Sequence, residues 1–218
     1  MQLVFDIHLK DDATFDTYEI GANQEAVVAL KQHDQPLLLW GNTSVGLSHL
    51  LQATCRLASA SMYLPMKDVK SFSIECLDGL ENLEIVCFDD IDAIAGDEIW
   101  EEAMFHAYNR MKAENTIMVF STHCTPQSIP FNLQDLHSRI LWGMTYQIHE
   151  LNDEAKAKWL KKMAKQRGFE LKPDVISYIL NHASRDMASL KKLLDEIDKQ
   201  SLIEKHKVTI PFVKSVLS

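Results

Sequence analysis

The sequence predicts an α/β domain with a parallel five-stranded sheet flanked by helices, followed by a small all-α domain. Short apolar runs alternate with helical patterns over residues 12–150, which is typical of parallel sheets. Beyond residue 150 only helical patterns remain. The charge changes at the same place: residues 1–150 hold 8 basic and 22 acidic side chains, net −14, whereas residues 151–218 hold 14 and 9, net +5. We therefore expect a tail over 1–11, the α/β domain over 12–150 and the helical domain over 151–218.

Five apolar runs are predicted as strands. Each is short, rich in aliphatic or β-branched residues, and bounded by turn residues or by carboxylates. The first run, residues 36–40, is short and apolar and ends at a glycine, so we expect it to be a buried strand. The predicted strands cover residues 36–40, 62–66, 83–88, 116–121 and 145–149.

Between these strands, apolar residues recur at helical spacing. The strongest helix pattern covers residues 97–114, where Trp100, Met104, Tyr108 and Met111 share one face. Asp97 would lie in its first turn, where the helix dipole favours an acidic side chain. Weaker patterns predict a helix from residue 21, a helix over 48–60 with Leu57 facing inward, and a poorly formed helix over 68–80.

The C-terminal region contains the usual signals of helix starts and stops. Asn152 or Asp153 is suited to cap the first helix, Gly168 to end it, and Pro173 to begin the second. Helices are predicted over residues 152–167, 173–182, 186–204 and from 209 onward.

The composition excludes several classes of protein. Hydrophobic residues make up 46% and charged residues 24% of the 218 residues, so disorder, collagen and coiled coil are excluded for the bulk of the chain. No apolar run approaches the ~18 residues of a membrane span, and the N-terminus lacks the basic region of a signal peptide. The four cysteines form no C-x-x-C pair, which favours a reduced, cytoplasmic protein without a structural metal.

One predicted strand-to-helix turn carries most of a phosphate-loop motif. It matches the spacing G-x-x-x-x-G-K-[ST], except that Leu47 replaces the lysine. Backbone N–H groups in such a loop can cradle phosphates, and Ser48 is suited to hold Mg²⁺. The alternative is a tight turn that merely needs two glycines. The turn and helix start comprise Gly41, Asn42, Thr43, Ser44, Val45, Gly46, Leu47, Ser48 and His49.

A pair of carboxylates, Asp89 and Asp90, follows the third predicted strand. Nucleotide enzymes place such carboxylates beside the phosphate loop to hold Mg²⁺ or to orient water. The alternative is a solvated acidic turn. The order of the two motifs along the chain favours a nucleotide site.

These motifs resemble those of the DnaA-related group of the AAA+ family. Residues 39–51 resemble the group's phosphate loop, 14–23 the segment that borders the adenine, and 89–91 its Walker B end. Residues 136–143 resemble the box with the arginine finger, and 185–187 the sensor-2 motif of the lid. The resemblance covers residues 12–218 and implies an AAA+ phosphate-loop core with a helical lid. It implies that the finger is Arg139 and that nucleotide contacts come from Tyr18, the nine residues of the turn and helix start, Asp89, Asp90 and Arg185.

Short members of this group are regulators that begin with a glutamine-led peptide for the DNA polymerase sliding clamp. Here that peptide would be residues 2–7, with Gln2, Leu3, Phe5 and Ile7 as the contacts. Leu3, Phe5 and Ile7 alternate, so an extended chain would point them into one groove. The alternative is an N-terminal edge strand or a frayed tail. The chain length leaves no room for the initiator's DNA-reading domain, so we expect DNA to be reached only through the clamp.

The resemblance implies a regulator that binds the clamp and offers Arg139 in trans to hydrolyse ATP on the initiator DnaA. The alternatives are an autonomous AAA+ ATPase and an adaptor that recruits DnaA without a catalytic contribution. Leu47, and His123 in place of an expected aspartate, depart from the pattern of the group. We therefore expect either weak nucleotide binding with ADP favoured over ATP, or no nucleotide binding, together with optional Mg²⁺ and no autonomous activity. A homo-oligomer stays open, and no membrane contact is expected.

Overall fold

The computed structural model describes residues 9–10, 12–32, 35–69, 71, 73–204 and 207–217. The chain divides into two compact units between His149 and Glu150. Each unit has its own apolar core.

The first unit is built on a five-stranded sheet. Its order is β2-β3-β4-β1-β5, and every neighbouring pair is parallel. The parallel five-stranded prediction is therefore confirmed. In a parallel sheet all carboxyl ends lie at one edge, where ligands of α/β proteins bind. The strands are β1 (Leu37–Trp40), β2 (Ser61–Pro65), β3 (Ile85–Asp89), β4 (Ile117–Thr122) and β5 (Met144–Gln147).

Five α-helices lie in the described part of the first unit. They are α1 (Gln24–Gln32), α2 (Leu47–Cys55), α3 (Met66–Val69), α4 (Glu98–Ala113) and α5 (Gln134–Ile140). Short 3₁₀ helices cover Ile74–Leu77, Leu80–Asn82, Ile91–Ile94 and Pro126–Ser128. The poorly formed helix predicted over 68–80 is therefore α3 and a 3₁₀ turn, and α5 was not predicted.

Helix α2 ends earlier than predicted. Its last turn tightens, because the N–H of Leu57 donates to the carbonyl of Thr54 at 3.0 Å. The Ser61 hydroxyl then donates to the Cys55 carbonyl at 2.7 Å, which satisfies a terminal acceptor from outside the helix. The inward position predicted for Leu57 is wrong, since this side chain is 41% exposed.

Helix α4 forms as predicted and packs on one face of the sheet. Its residues Trp100, Met104, Tyr108 and Met111 are all buried. The rings of Tyr108 and Phe120 stack at 6.3 Å between centroids. Asp97 caps the helix by accepting a hydrogen bond from the backbone N–H of Trp100. The other face of the sheet is covered by α1 and α2.

The second unit consists of helices only in its described residues. They are α6 (Asp153–Gln166), α7 (Pro173–His182), α8 (Met187–Glu204) and α9 (Ile210–Leu217). Asn152 caps α6 by accepting from the N–H of Ala155 at 2.9 Å, and Trp159, Leu160 and Ile179 lie in the core. The predicted all-helical C-terminal region is confirmed. No helix in the described ranges combines the length and the apolar character that a membrane crossing needs.

Candidate nucleotide-binding site

The phosphate-loop candidate lies at the carboxyl edge of the sheet, between β1 and α2. Gly46 adopts φ 95°, a left-handed conformation that reverses the chain into α2. No side chain caps the start of α2. Asn42, Thr43, Ser44 and Ser48 are exposed. The loop therefore presents uncapped helix N–H groups at an accessible edge, which is an arrangement that binds phosphate.

Two close approaches hold this loop. A Cβ on Gly41 would lie 2.6 Å from the carbonyl oxygen of Ile148, so only glycine fits there. A Cβ on Gly46 would lie 2.9 Å from Cε2 of Tyr18. The Tyr18 hydroxyl lies 3.5 Å from the Val45 carbonyl oxygen, and burial raises the pKa of Tyr18 to about 12. The predicted site residue Tyr18 therefore packs directly on the loop.

The side-chain amide of Asn23 links the Tyr18 hydroxyl to the backbone of His149. Its Nδ2 donates to the Tyr18 hydroxyl at 3.1 Å and to the carbonyl of His149 at 3.0 Å. Its Oδ1 accepts from the backbone N–H of His149 at 2.8 Å. The buried amide thus ties the N-terminal segment to the chain just after β5.

The side chain at the lysine position points into the core. Leu47 is 3% exposed and belongs to the apolar cluster that includes Leu50 and Leu51. It brings no positive charge to the loop. His49 is turned toward the N-terminal segment, with Nε2 2.8 Å from the Thr14 carbonyl oxygen and 3.3 Å from Oγ1 of Thr17.

Asp89 is enclosed by two hydroxyl groups. It is the last residue of β3 and is 3% exposed. Tyr63 donates to Oδ2 at 2.5 Å, and Ser121 donates to Oδ1. Burial, followed by the negative charge of Asp89, raises the pKa of Tyr63 well above its usual range. Both oxygens of this carboxylate already accept a hydrogen bond.

Asp90 lies between the Lys67 ammonium and the ring of His123. Nζ of Lys67 is 2.9 Å from Oδ2, and Nε2 of His123 is 3.2 Å from Oδ1. The hydrogen bond to Asp90 raises the pKa of Lys67. On its other side, Nδ1 of His123 lies 2.9 Å from the carbonyl oxygen of Gly41. His123 therefore connects the phosphate loop to the Asp89–Asp90 pair, which the motif order predicted to lie together.

The two predicted arginines lie in different units. Arg139 is on α5, half-buried, with its guanidinium carbon 5.0 Å from the centre of the Phe105 ring. Among the described residues it forms no ion pair with a carboxylate. Arg185 lies in the second unit, where it donates to the Leu180 carbonyl at 3.0 Å and to Asp153 at 3.3 Å. The predicted clamp contacts Gln2, Leu3, Phe5 and Ile7 lie outside the described residues.

Sequence reasoning missed Lys67, Tyr63 and Asn23 as members of this site. One signal was present for Lys67, because it follows β2 by two residues and so reaches the same edge of the sheet as Asp90. Tyr63 lies within β2, where one aromatic residue in a short strand is ordinary core composition. Asn23 had no signal, since its partner His149 is 126 positions away.

Two family models match separate parts of the chain. The bacterial DnaA ATPase domain matches residues 64–147, and the lid domain of Hda matches residues 153–217. The first match contains Asp89, Asp90 and Arg139 but begins after the phosphate loop. The second contains Arg185.

Solved structures with the same fold include DnaA proteins. Domain III of the Thermotoga maritima replication initiation protein DnaA has a TM-score of 0.83 and 18% identity, covering 97% of this chain and 98% of that one. AMPPCP-bound DnaA from Aquifex aeolicus has a TM-score of 0.74 and 21% identity, covering 91% and 68%. The Thermotoga maritima RuvB branch migration motor has a TM-score of 0.67 and 15% identity, covering 89% and 65%.

Proposed function

This chain is an AAA+ protein related to Hda and DnaA, and from that premise we propose that it regulates the initiation of chromosome replication. The regulator binds the polymerase sliding clamp and contacts ATP-bound DnaA. It promotes hydrolysis of the ATP held by DnaA and so inactivates the initiator. It acts in the cytoplasm and reaches DNA only through the clamp.

The state of Arg139 carries this proposal. A guanidinium that acts on a partner's nucleotide must be held in place yet remain unpaired with carboxylates of its own chain. Arg139 meets both conditions in the described residues: its guanidinium carbon lies 5.0 Å from the centre of the Phe105 ring and 5.9 Å from that of Tyr108, and it forms no ion pair. A cation–π contact with a ring does not use up the N–H donors of a guanidinium, which can still bind phosphate oxygens. An arginine finger accelerates phosphoryl transfer by about 10³–10⁵.

The chain's own loop supports a regulatory role over an autonomous ATPase. The loop lysine stabilises the phosphates in hydrolysing enzymes. Here Leu47 is buried instead, and Asp90 is engaged by Lys67 and His123. We propose that the loop binds ADP weakly, in preference to ATP, through its backbone and does not hydrolyse nucleotide.

The test follows hydrolysis of ATP bound to DnaA in the presence of DNA-loaded clamp. We expect Arg139→Ala to reduce the stimulated rate to that of DnaA alone, and Arg139→Lys to restore little because lysine lacks the planar fork. Arg110→Ala is the matched control, since this arginine of the same unit pairs with Asp78 and Glu81. Undiminished stimulation by Arg139→Ala would remove the catalytic role and favour the adaptor. Turnover by the isolated chain would favour the autonomous ATPase.

Clamp binding is tested separately. A pull-down with the clamp should capture the wild-type chain and lose the double variant Gln2→Ala, Leu3→Ala. Equal capture of both would remove the clamp peptide from the proposal while leaving the role of Arg139 standing.

A further inference from the structure

Three of the four carboxylate oxygens of Asp89 and Asp90 already contact protein donors, so this pair is poorly suited to a divalent metal ion. In nucleotide sites of related architecture, Mg²⁺ bridges the phosphates and is held by a loop hydroxyl and a carboxylate after a buried strand. Here both oxygens of Asp89 accept hydrogen bonds from Tyr63 and Ser121, inside the protein. Within the ranges that the structure describes, no group of three or more His, Cys, Asp and Glu residues is arranged to hold a metal.

A protein cation, Lys67, lies where the charge of a metal ion would be needed. Lys67 contacts one oxygen of Asp90 at 2.9 Å, and His123 faces the other at 3.2 Å. The second nitrogen of His123 is 2.9 Å from the Gly41 carbonyl oxygen. The His123 ring therefore lies between the Asp90 carboxylate and the loop, while Oδ1 of Asp90 has no hydrogen-bond partner among the described residues.

The strand order explains how these groups come together. Lys67 follows β2, Asp90 follows β3, His123 follows β4 and Gly41 follows β1. These strands are neighbours in the order β2-β3-β4-β1, so the contacts cross the carboxyl edge of the sheet from one strand to the next. The row of contacts ends at the loop that is suited to bind phosphate.

We propose that the Lys67 ammonium replaces the charge of both the missing loop lysine and Mg²⁺, with His123 placed between Asp90 and the loop, so that a nucleoside diphosphate binds this loop without a divalent metal. This inference rests on the nucleotide binding included in the proposed function. Lys67 is also more than half exposed, so its ammonium can shift from Asp90 toward a bound phosphate. A divalent ion brought to Asp90 would instead be repelled by the Lys67 ammonium already in place.

The experiment measures ADP binding by the full chain, by calorimetry, with Mg²⁺ and with EDTA. We expect the same affinity in both conditions. Lys67→Ala should weaken binding in EDTA by about tenfold or more, as expected for the loss of one charge-assisted contact, and should make binding depend on Mg²⁺. Lys112→Ala is the matched control, because this lysine of the same unit lies over the Trp142 ring, and it should behave like the wild type.

Two results overturn the inference. One is ADP binding by the wild type that tightens about tenfold or more on adding Mg²⁺. The other is no ADP binding in either condition, which leaves the DnaA hydrolysis assay, and with it the role of Arg139, unaffected.

A second measurement does not depend on nucleotide. In a titration with Mn²⁺ alone, followed by electron paramagnetic resonance, the wild type should leave the free-ion signal intact, and Lys67→Gln should reduce it as Asp90 is released. Uptake of Mn²⁺ by the wild type would overturn the inference. Thermal melting of each variant separates these effects from loss of the fold.

Discussion

Replacing Gly46 by alanine tests how the phosphate loop is held. The residue has φ 95°, and a left-handed conformation costs a non-glycine residue about 1–2 kcal/mol. An added Cβ would also lie 2.9 Å from Cε2 of Tyr18, closer than carbon atoms pack. Overpacking costs about 1–3 kcal/mol, so the free energy of unfolding should fall by about 2–5 kcal/mol in total.

Gly96 provides a matched control in the same unit. It has φ 83°, and an added Cβ meets nothing within 4 Å. Gly96→Ala therefore carries only the conformational cost of about 1–2 kcal/mol. The difference between the two variants measures the contact with Tyr18, because the backbone cost is common to both.

Urea denaturation followed by circular dichroism gives both free energies, with the denaturant slope as a check that the unfolded states are comparable. In a Tyr18→Ala background, Gly46→Ala should cost no more than Gly96→Ala does. Equal losses for the two glycine variants in the wild-type background would refute the reasoning. So would an excess for Gly46→Ala that persists without Tyr18.

Three other changes have defined outcomes. Hydrogen bonds, first from Ser184, lower the pKa of Asp186 to about 2, so its contribution is present above pH 3.8 and is lost as the pH falls toward 2. Asp186 directly precedes α8, and its Oδ1 accepts a hydrogen bond from the backbone N–H of Ser189 at 2.9 Å, as a helix cap does. Asp186→Ala should therefore cost about 1 kcal/mol at neutral pH, and in urea denaturation the difference from wild type should vanish in acid. Tyr63→Phe removes a donor to the buried Asp89 and should cost about 1.5–3 kcal/mol. Because the pKa of Tyr63 is raised, the wild type should lose this advantage only as the pH rises above 10.0, and an unchanged gap at high pH would contradict the assignment. The buried hydroxyl of Tyr108 has no hydrogen-bond partner among the described residues; Tyr108→Phe should therefore leave the thermal midpoint unchanged or raise it, and a clear fall would show a missing partner.

Local signals explain what the sequence predicted of the fold. The prediction of α4 was accurate because three local signals all indicate a helix over the same residues: its apolar face, the acidic Asp97 at its start and its length. The predicted end of α2 failed because the residues after Cys55 remain compatible with a helix, and the contact that ends it comes from Ser61. Helix α5 was missed because it has only seven residues, too few for a clear period.

The candidate site divides in the same way. The loop glycines and Asp89–Asp90 were predicted from the motif spacing and the order of the motifs, and the structure brings them to one edge because strand ends in a parallel sheet converge there. Lys67 was missed because its contact with Asp90 depends on β2 lying next to β3 in the sheet. Hydrophobic periodicity along the sequence does not reveal the order of strands in a sheet. The sequence itself shows that Leu47 replaces the loop lysine. Only the structure shows that the Leu47 side chain belongs to the apolar core.

The amide of Asn23 has a consequence for the order in which the protein is made. Its two hydrogen bonds with His149 join positions 126 residues apart. Because loop closure over so many residues costs entropy, we expect Asn23 and His149 to make contact only after the intervening strands have formed. On the ribosome, this contact also requires that residue 149 has been synthesised and released from the exit tunnel. We expect nascent chains that end before β5 to leave Tyr18 more accessible to chemical labelling than full-length chains do. The hydrogen bonds that hold Tyr18 against the phosphate loop are therefore completed only after β5, the last strand of the sheet, has been synthesised.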